Sequence, residues 1–174
     1  MAVMIQRATL ILIITPLLTS CGLFSPGKKE WTYQYEVKKT AIIVNGKAVP
    51  PAGLPKQVMR AITAGNQIVG KPYKIGGGHG FLHGLDSGYD CSGTTSHVLR
   101  AAGVLDEDMT SANFKKYAAS GEGRWITVYA RSGHVFLDVA GLRLDTGYHD
   151  EDGPRWTTKS RPARGYRLRH PAGL

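Results

Sequence analysis

Seventeen residues in the middle of the chain, Pro72 to Gly88, hold Gly76, Gly77, Gly78, Gly80, Gly84 and Gly88 and follow neither a helical nor a strand period. A backbone so rich in glycine reaches conformations closed to other residues and approaches a ligand closely, but it does not sustain a regular element. Whatever the chain folds into is therefore built on either side of this loop. A phosphate-binding loop is one reading of such a stretch. It fails here, because no Gly-Lys-Ser or Gly-Lys-Thr follows and no dinucleotide fingerprint fits a strand-turn-helix context.

The loop runs into a helix. Cys91 to Ala102 has helical spacing, with Val98, Leu99 and Ala102 as its buried stripe and Gly103 as its stop. Before the loop, Val58, Ile62, Gly65 and Val69 fall on one helical stripe, and Pro55 stands near its start, where a missing N–H is harmless. Earlier still, Trp31, Tyr33, Tyr35 and Val37 alternate with Thr32, Gln34 and Glu36, which predicts a strand. Ala41 to Val44 and Lys47 to Val49 flank Asn45-Gly46, a hairpin turn signal. After the second helix, Val135, Phe136, Leu137 and Val139 read as a buried strand opened by Gly133-His134.

Cys91 is placed at or near a helix N-terminus, where unpaired N–H groups favour a thiolate and receive an oxyanion. The only other cysteine, Cys21, closes an N-terminal export segment. Met1 to Arg7 is a weakly cationic start, and Ala8 to Leu18 is an apolar run shorter than the roughly 20 residues that span a bilayer. Leu18-Thr19-Ser20-Cys21 resembles the lipobox of bacterial lipoproteins, in which the cysteine is diacylated and becomes the new N-terminus. That resemblance implies an exported chain held at the cell envelope by acylated Cys21. It would face the periplasm from the outer membrane of a two-membrane envelope, or sit on the outer face of a single membrane. Cys91 is then a thiol with no disulfide partner, which reads as a nucleophile.

The full chain carries a formal net charge of +9, and removal of residues 1–20 takes away Arg7 and no acid, leaving +8. Arg155, Lys159, Arg161, Arg164, Arg167 and Arg169 concentrate that charge near the C-terminus. Export removes nucleic acid from the partners such a surface serves, and leaves wall polymers and lipid headgroups. The expected organisation is a signal peptide at 1–20, a lipidated tether at 21–30 and one domain at 31–174, with 31–51 as an N-terminal β extension. A monomer without cofactor or metal is expected.

A nucleophilic cysteine needs a base, and His134 suits it best, because a buried strand positions an imidazole rigidly. His79 and His83 lie in the glycine-rich loop, His97 faces away from Cys91 on the helix, His149 sits in an acidic loop and His170 is near the end. His79, His83 and Cys91 are an alternative metal set, at a spacing that belongs on a helix rather than in a loop. If Ala140-Gly141 is a two-residue turn, Asp145 shares the face of His134; a one-residue bulge brings Thr146 there instead. A carboxylate is the better partner for an imidazolium, which favours Asp145.

Three blocks in this order, Gly70-Lys71-Pro72-Tyr73-Lys74-Ile75-Gly76-Gly77, Asp90-Cys91-Ser92-Gly93 and Ser132-Gly133-His134-Val135, resemble the NlpC-type cell-wall cysteine peptidases. The likeness runs from about Val58 to Leu144. It implies an α+β, papain-like fold, with a nucleophile-bearing helix packed on an antiparallel sheet that carries the histidine. It implies that Tyr73 borders the nucleophile and that Asp90 and Ser92 line the site for peptidoglycan stem peptides. The implied reaction is hydrolysis of a stem-peptide bond, γ-D-glutamyl to diamino acid, by Cys91 and His134. Two positions depart from the family: Ile75 replaces a tryptophan, and Asp145 or Thr146 stands where His, Asn or Gln is common. The same pair would also serve an N-acetylmuramoyl-L-alanine amidase or a lipid acyl hydrolase. A wall-binding lipoprotein without turnover is a reading of a different class.

Overall fold

The computed structural model describes residues 30–80, 84–147 and 153–174, so the export segment, Cys21, His83 and His149 lie outside the described residues. In chain order the elements are β1 (Glu30–Trp31), β2 (Ile42–Val44), β3 (Lys47–Val49), α1 (Lys56–Ile68), α2 (Cys91–Ala102), β4 (Ala119–Ser120), β5 (Ile126–Arg131), β6 (His134–Val139), β7 (Leu142–Asp145), β8 (Arg155–Thr157), β9 (Arg161–Pro162) and β10 (Arg167–His170). A single 3₁₀ turn spans Asn113–Lys116. The architecture is α+β, with six strands in one antiparallel sheet ordered β4-β10-β5-β6-β7-β8.

Period-two alternation divides that sheet into two unlike faces. Val135, Leu137 and Val139 of β6, Leu142 and Leu144 of β7, and Ile126 and Val128 of β5 join Val58, Ile62, Ile68, Val98 and Leu99 of the two helices in one aliphatic core. Each such side chain contributes roughly 1.5–3 kcal/mol by leaving water. The opposite face is smaller and aromatic: Trp31, Tyr129, Phe136, Ala163 and Tyr166 pack together, with Tyr129 and Phe136 stacked at 4.6 Å.

The Asn45-Gly46 turn takes positive φ at both positions, 49° and 76°, as a two-residue hairpin requires. The hairpin is held to α1 by Asn66, whose side chain accepts from Ala48 N–H at 2.8 Å and donates to Ala48 C=O at 2.9 Å. The strand expected over Trp31 to Val37 stops after Trp31. Its only pairing partner among the described residues is the two-residue β9, with Trp31 opposite Arg161. Beyond it the chain turns at Lys38, which has φ 61°, and Tyr35 and Val37 are exposed. The stretch 31–51 is thus two pieces, a short strap over the aromatic face and a hairpin on α1.

Candidate active site

Helix α2 begins at Cys91 and ends at Gly103, which closes it in the left-handed conformation at φ 75°. Asp90 caps its start: Oδ1 accepts from Gly93 N–H at 2.7 Å and the main-chain carbonyl accepts from Thr94 N–H at 2.9 Å. Asp90 N–H goes to the Gly77 carbonyl at 3.1 Å, which leaves the N–H of Cys91 and of Ser92 clear of the cap. The same carboxylate binds the glycine-rich loop, accepting Gly76 N–H on Oδ2 at 2.9 Å, and the Ser92 hydroxyl donates to Oδ1 at 2.9 Å. His79 Nε2 lies 3.1 Å from both Asp90 Oδ1 and Ser92 Oγ. Burial works to raise the Asp90 carboxyl, but the donors of Gly93, Ser92 and Gly76 and the nearby His79 outweigh it and hold it below the ordinary value.

The loop lies against the helix start so closely that a Cβ on Gly93 would overlap the Gly77 carbonyl oxygen. Tyr73 bridges in parallel to Tyr89, two residues before the cysteine, so the chain segment holding Tyr73 runs beside the entry to α2. Asp90 and Ser92, expected to line a peptide site, have their polar atoms engaged in fastening loop to helix. With 13% of the Asp90 side chain exposed, a ligand would meet only the edge of an occupied carboxylate. Ile75, at the departure from the family pattern, is 85% exposed.

Cys91 is buried, and its sulfur receives the backbone N–H of Val135 and of Ser92. Val135 follows His134 in β6, so the thiol sits against the start of the histidine strand. Burial pushes the Cys91 thiol up; the two N–H donors pull it down, and the carboxylates of Asp90 and Asp145 add to the upward push. Desolvation and two nearby carboxylates thus work against the thiolate that the helix end and its N–H donors favour.

His134 is the first residue of β6, and its Nε2 lies 2.9 Å from Asp145 Oδ1. The register that places them together has Val139 opposite Leu142 and Leu137 opposite Leu144, without a bulge. The Ala140-Gly141 turn has φ 49° and 76°. A carboxylate only accepts, so Nε2 carries the hydrogen, and in the neutral ring the lone pair is on Nδ1. Asp145 is itself held: Arg161 Nη1 donates to its Oδ2 at 2.8 Å and Arg143 Nη1 stands 3.4 Å from the same oxygen. All three side chains are nearly sealed from water, at 2%, 3% and 4% exposure for Asp145, Arg143 and Arg161.

In comparisons with known proteins, no family model and no curated protein matches this chain. The site is thus read from its own geometry.

That geometry includes residues the sequence did not single out. Arg143 lies two positions before Asp145 on one face of β7, a spacing that is visible in the sequence. Arg161 carries no local signal; it reaches Asp145 through β9, which pairs with β1, and it also donates to Gly147 C=O at 3.1 Å. Trp31 closes the arrangement, lying under the Arg143 guanidinium at 5.6 Å and donating from its indole to Asp138 Oδ2 at 2.6 Å. The strap of the N-terminal extension therefore backs the His134–Asp145 pair.

Two further described histidines are elsewhere: His97 packs edge-on against Tyr89, with burial lowering its pKa, and His170 faces the Gly121 carbonyl at 3.1 Å. Among the described residues no three His, Cys, Asp or Glu side chains converge as a metal ion would need. The site thus sets a thiol at a helix start against the strand that opens with His134, and holds that imidazole on a buried carboxylate.

Proposed function

We propose that this chain is a lipid-anchored, papain-like cysteine peptidase of the NlpC type that hydrolyses peptidoglycan stem peptides. The observation that carries the reading is the Cys91 sulfur seated on the Val135 N–H while the neighbouring His134 bonds Asp145 at 2.9 Å. In this mechanism His134 Nδ1 takes the thiol proton as the sulfur attacks a peptide carbonyl carbon. The N–H of Cys91, left over by the Asp90 cap, receives the developing oxyanion. The C–N bond then breaks, and the imidazolium returns its proton to the departing amine. Water, deprotonated by the same nitrogen, releases the acid product and restores the thiol.

Burial that works against the thiolate fits proton transfer to His134 as the sulfur attacks. The bond assigned is the one joining the γ-carboxyl of D-glutamate to the following diamino acid, and the anchor assigned is acylated Cys21, which holds the enzyme at the envelope. Incubation with defined muropeptides, followed by mass analysis, tests it. The intact chain is expected to release the diamino acid end, and Cys91→Ala to abolish turnover; full cleavage by Cys91→Ala would sink the proposal.

A further inference from the structure

A second feature lies beside the histidine. A cavity of about 430 Å³ is lined by Lys115, Ser120, Gly121, Tyr166, Arg167, Leu168 and Arg169, with no carboxylate in its wall. Tyr166 joins it to the catalytic pair, since its ring stands edge-on to the His134 ring at 6.5 Å and 88°. The Arg131 guanidinium lies over the other aspect of that phenol at 5.0 Å. Lys115 Nζ donates to Ser132 Oγ at 3.0 Å, in the turn that leads into His134, and keeps further N–H donors.

Two polar atoms here are unusual. Tyr166 is 9% exposed and its hydroxyl, buried, has no hydrogen-bond partner among the described residues; the Arg169 Nε is buried and unpartnered as well. A buried polar group without a partner costs about 1–3 kcal/mol, so such groups mark places where a partner is absent. The groups waiting are a phenol and cations, which together match an anion with several acceptor oxygens.

We propose that this groove is a carboxylate-binding subsite for the substrate, with Lys115, Arg167 and Arg169 supplying charge and Tyr166 a directed O–H donor beside His134. The ligand class is a peptide with free carboxylates. The inference deepens the hydrolase reading and rests on it for the choice of peptide. It also gives the basic C-terminal stretch a task, because alternate residues of β10 present Arg167 and Arg169.

The test uses the full chain with Cys21→Ser and Cys91→Ala, titrated calorimetrically with L-alanyl-γ-D-glutamyl-diaminopimelate and with the same peptide amidated at its free carboxyls. The free acid is expected to bind about tenfold more tightly than the amide, the worth of one charge-assisted hydrogen bond. Lys115→Gln with Arg167→Gln should bring the two peptides level, and Tyr166→Phe should narrow the gap. Equal binding of the two peptides, no binding of either, or a preference that survives the double substitution would overturn the proposal. So would a preference of the same groove for phosphatidylglycerol vesicles over the peptide acid. Cleavage is scored separately with Cys91 intact: a carboxylate preference without turnover sinks the hydrolase reading and leaves the groove standing.

Discussion

The two faces of strands β6 and β7 are made of alternating residues of the same ten positions, yet they solve opposite problems. Toward the helices, Val135, Leu137, Val139, Leu142 and Leu144 form a dry aliphatic surface. Away from them, His134, Asp138, Arg143 and Asp145 bring ionisable groups into a setting nearly as closed. Burial of the first kind stabilises. Burial of the second kind roughly cancels against desolvation, and breaking one partner is what costs. The helix-side face therefore holds the fold, and the aromatic face holds one imidazole in one orientation. A slip of one residue would exchange the faces and destroy both functions at once.

The largest expected effect breaks the second face without touching the first. Asp145→Asn keeps the shape, but Arg161 and Arg143 claim the amide oxygen here and turn its N–H toward Nε2, so the hydrogen is driven to Nδ1 and the imidazole cannot act as base. Turnover should fall by about 10²–10⁴-fold through kcat, with KM little changed. Steady-state kinetics on a stem peptide measure this, and an unchanged kcat would mean that Asp145 is a structural carboxylate only.

Much of this arrangement was legible in the sequence because it depends on neighbours. Asn45-Gly46 fixes the hairpin, Gly103 ends the helix, and the Ala140-Gly141 turn sets the register that carries Asp145 to His134; each is a statement about residues within a dozen positions. The unreadable parts depend on remote partners. Trp31 ends its strand because β9, 130 positions away, offers only two residues to pair with. Asp90 serves as a clamp between Gly76 and Gly93 rather than an open carboxylate, which only the loop's fold decides. Arg161 has no pattern around it at all.

A paired substitution sharpens the contrast next. Leu137→Ala, fully buried between Val128 and Leu144, should lower unfolding free energy by about 2–5 kcal/mol. Catalysis per folded molecule should be nearly unchanged. Arg161→Met keeps volume and removes one of the two guanidinium groups on Asp145. It should cost about 3–5 kcal/mol of stability, because buried Asp145 loses one of its cations and the Gly147 carbonyl loses a donor. Its kcat, however, should fall by about tenfold or more as the His134–Asp145 pair loses its brace. Urea unfolding and single-turnover kinetics on both variants separate the two; a larger catalytic loss in Leu137→Ala would erase the division of labour between the faces.

The smallest effect concerns two carboxylates on the same face that differ in company. Asp145 accepts from a guanidinium group, whereas Asp138, opposite Arg143 in the sheet, accepts from two neutral donors, the Trp31 indole and Gly141 N–H at 2.9 Å. Burial raises the Asp138 carboxyl from 3.8 to about 6; those two donors oppose it and Glu122 adds to it. The folded chain thus retains a proton that the unfolded chain releases near pH 4. Stabilisation from this protonated form is complete below about pH 4 and is lost as pH rises through about 6. Asp138→Asn cannot titrate, and its amide leaves one of the two N–H donors without an acceptor, at about 1 kcal/mol. The advantage of the parent chain over Asp138→Asn should accordingly be greater at pH 4.5 than at pH 7, as read by thermal unfolding at both. A constant difference would mean that Asp138 stays ionised between its two donors, and that neutral N–H groups suffice on this face for what Asp145 draws from two arginines.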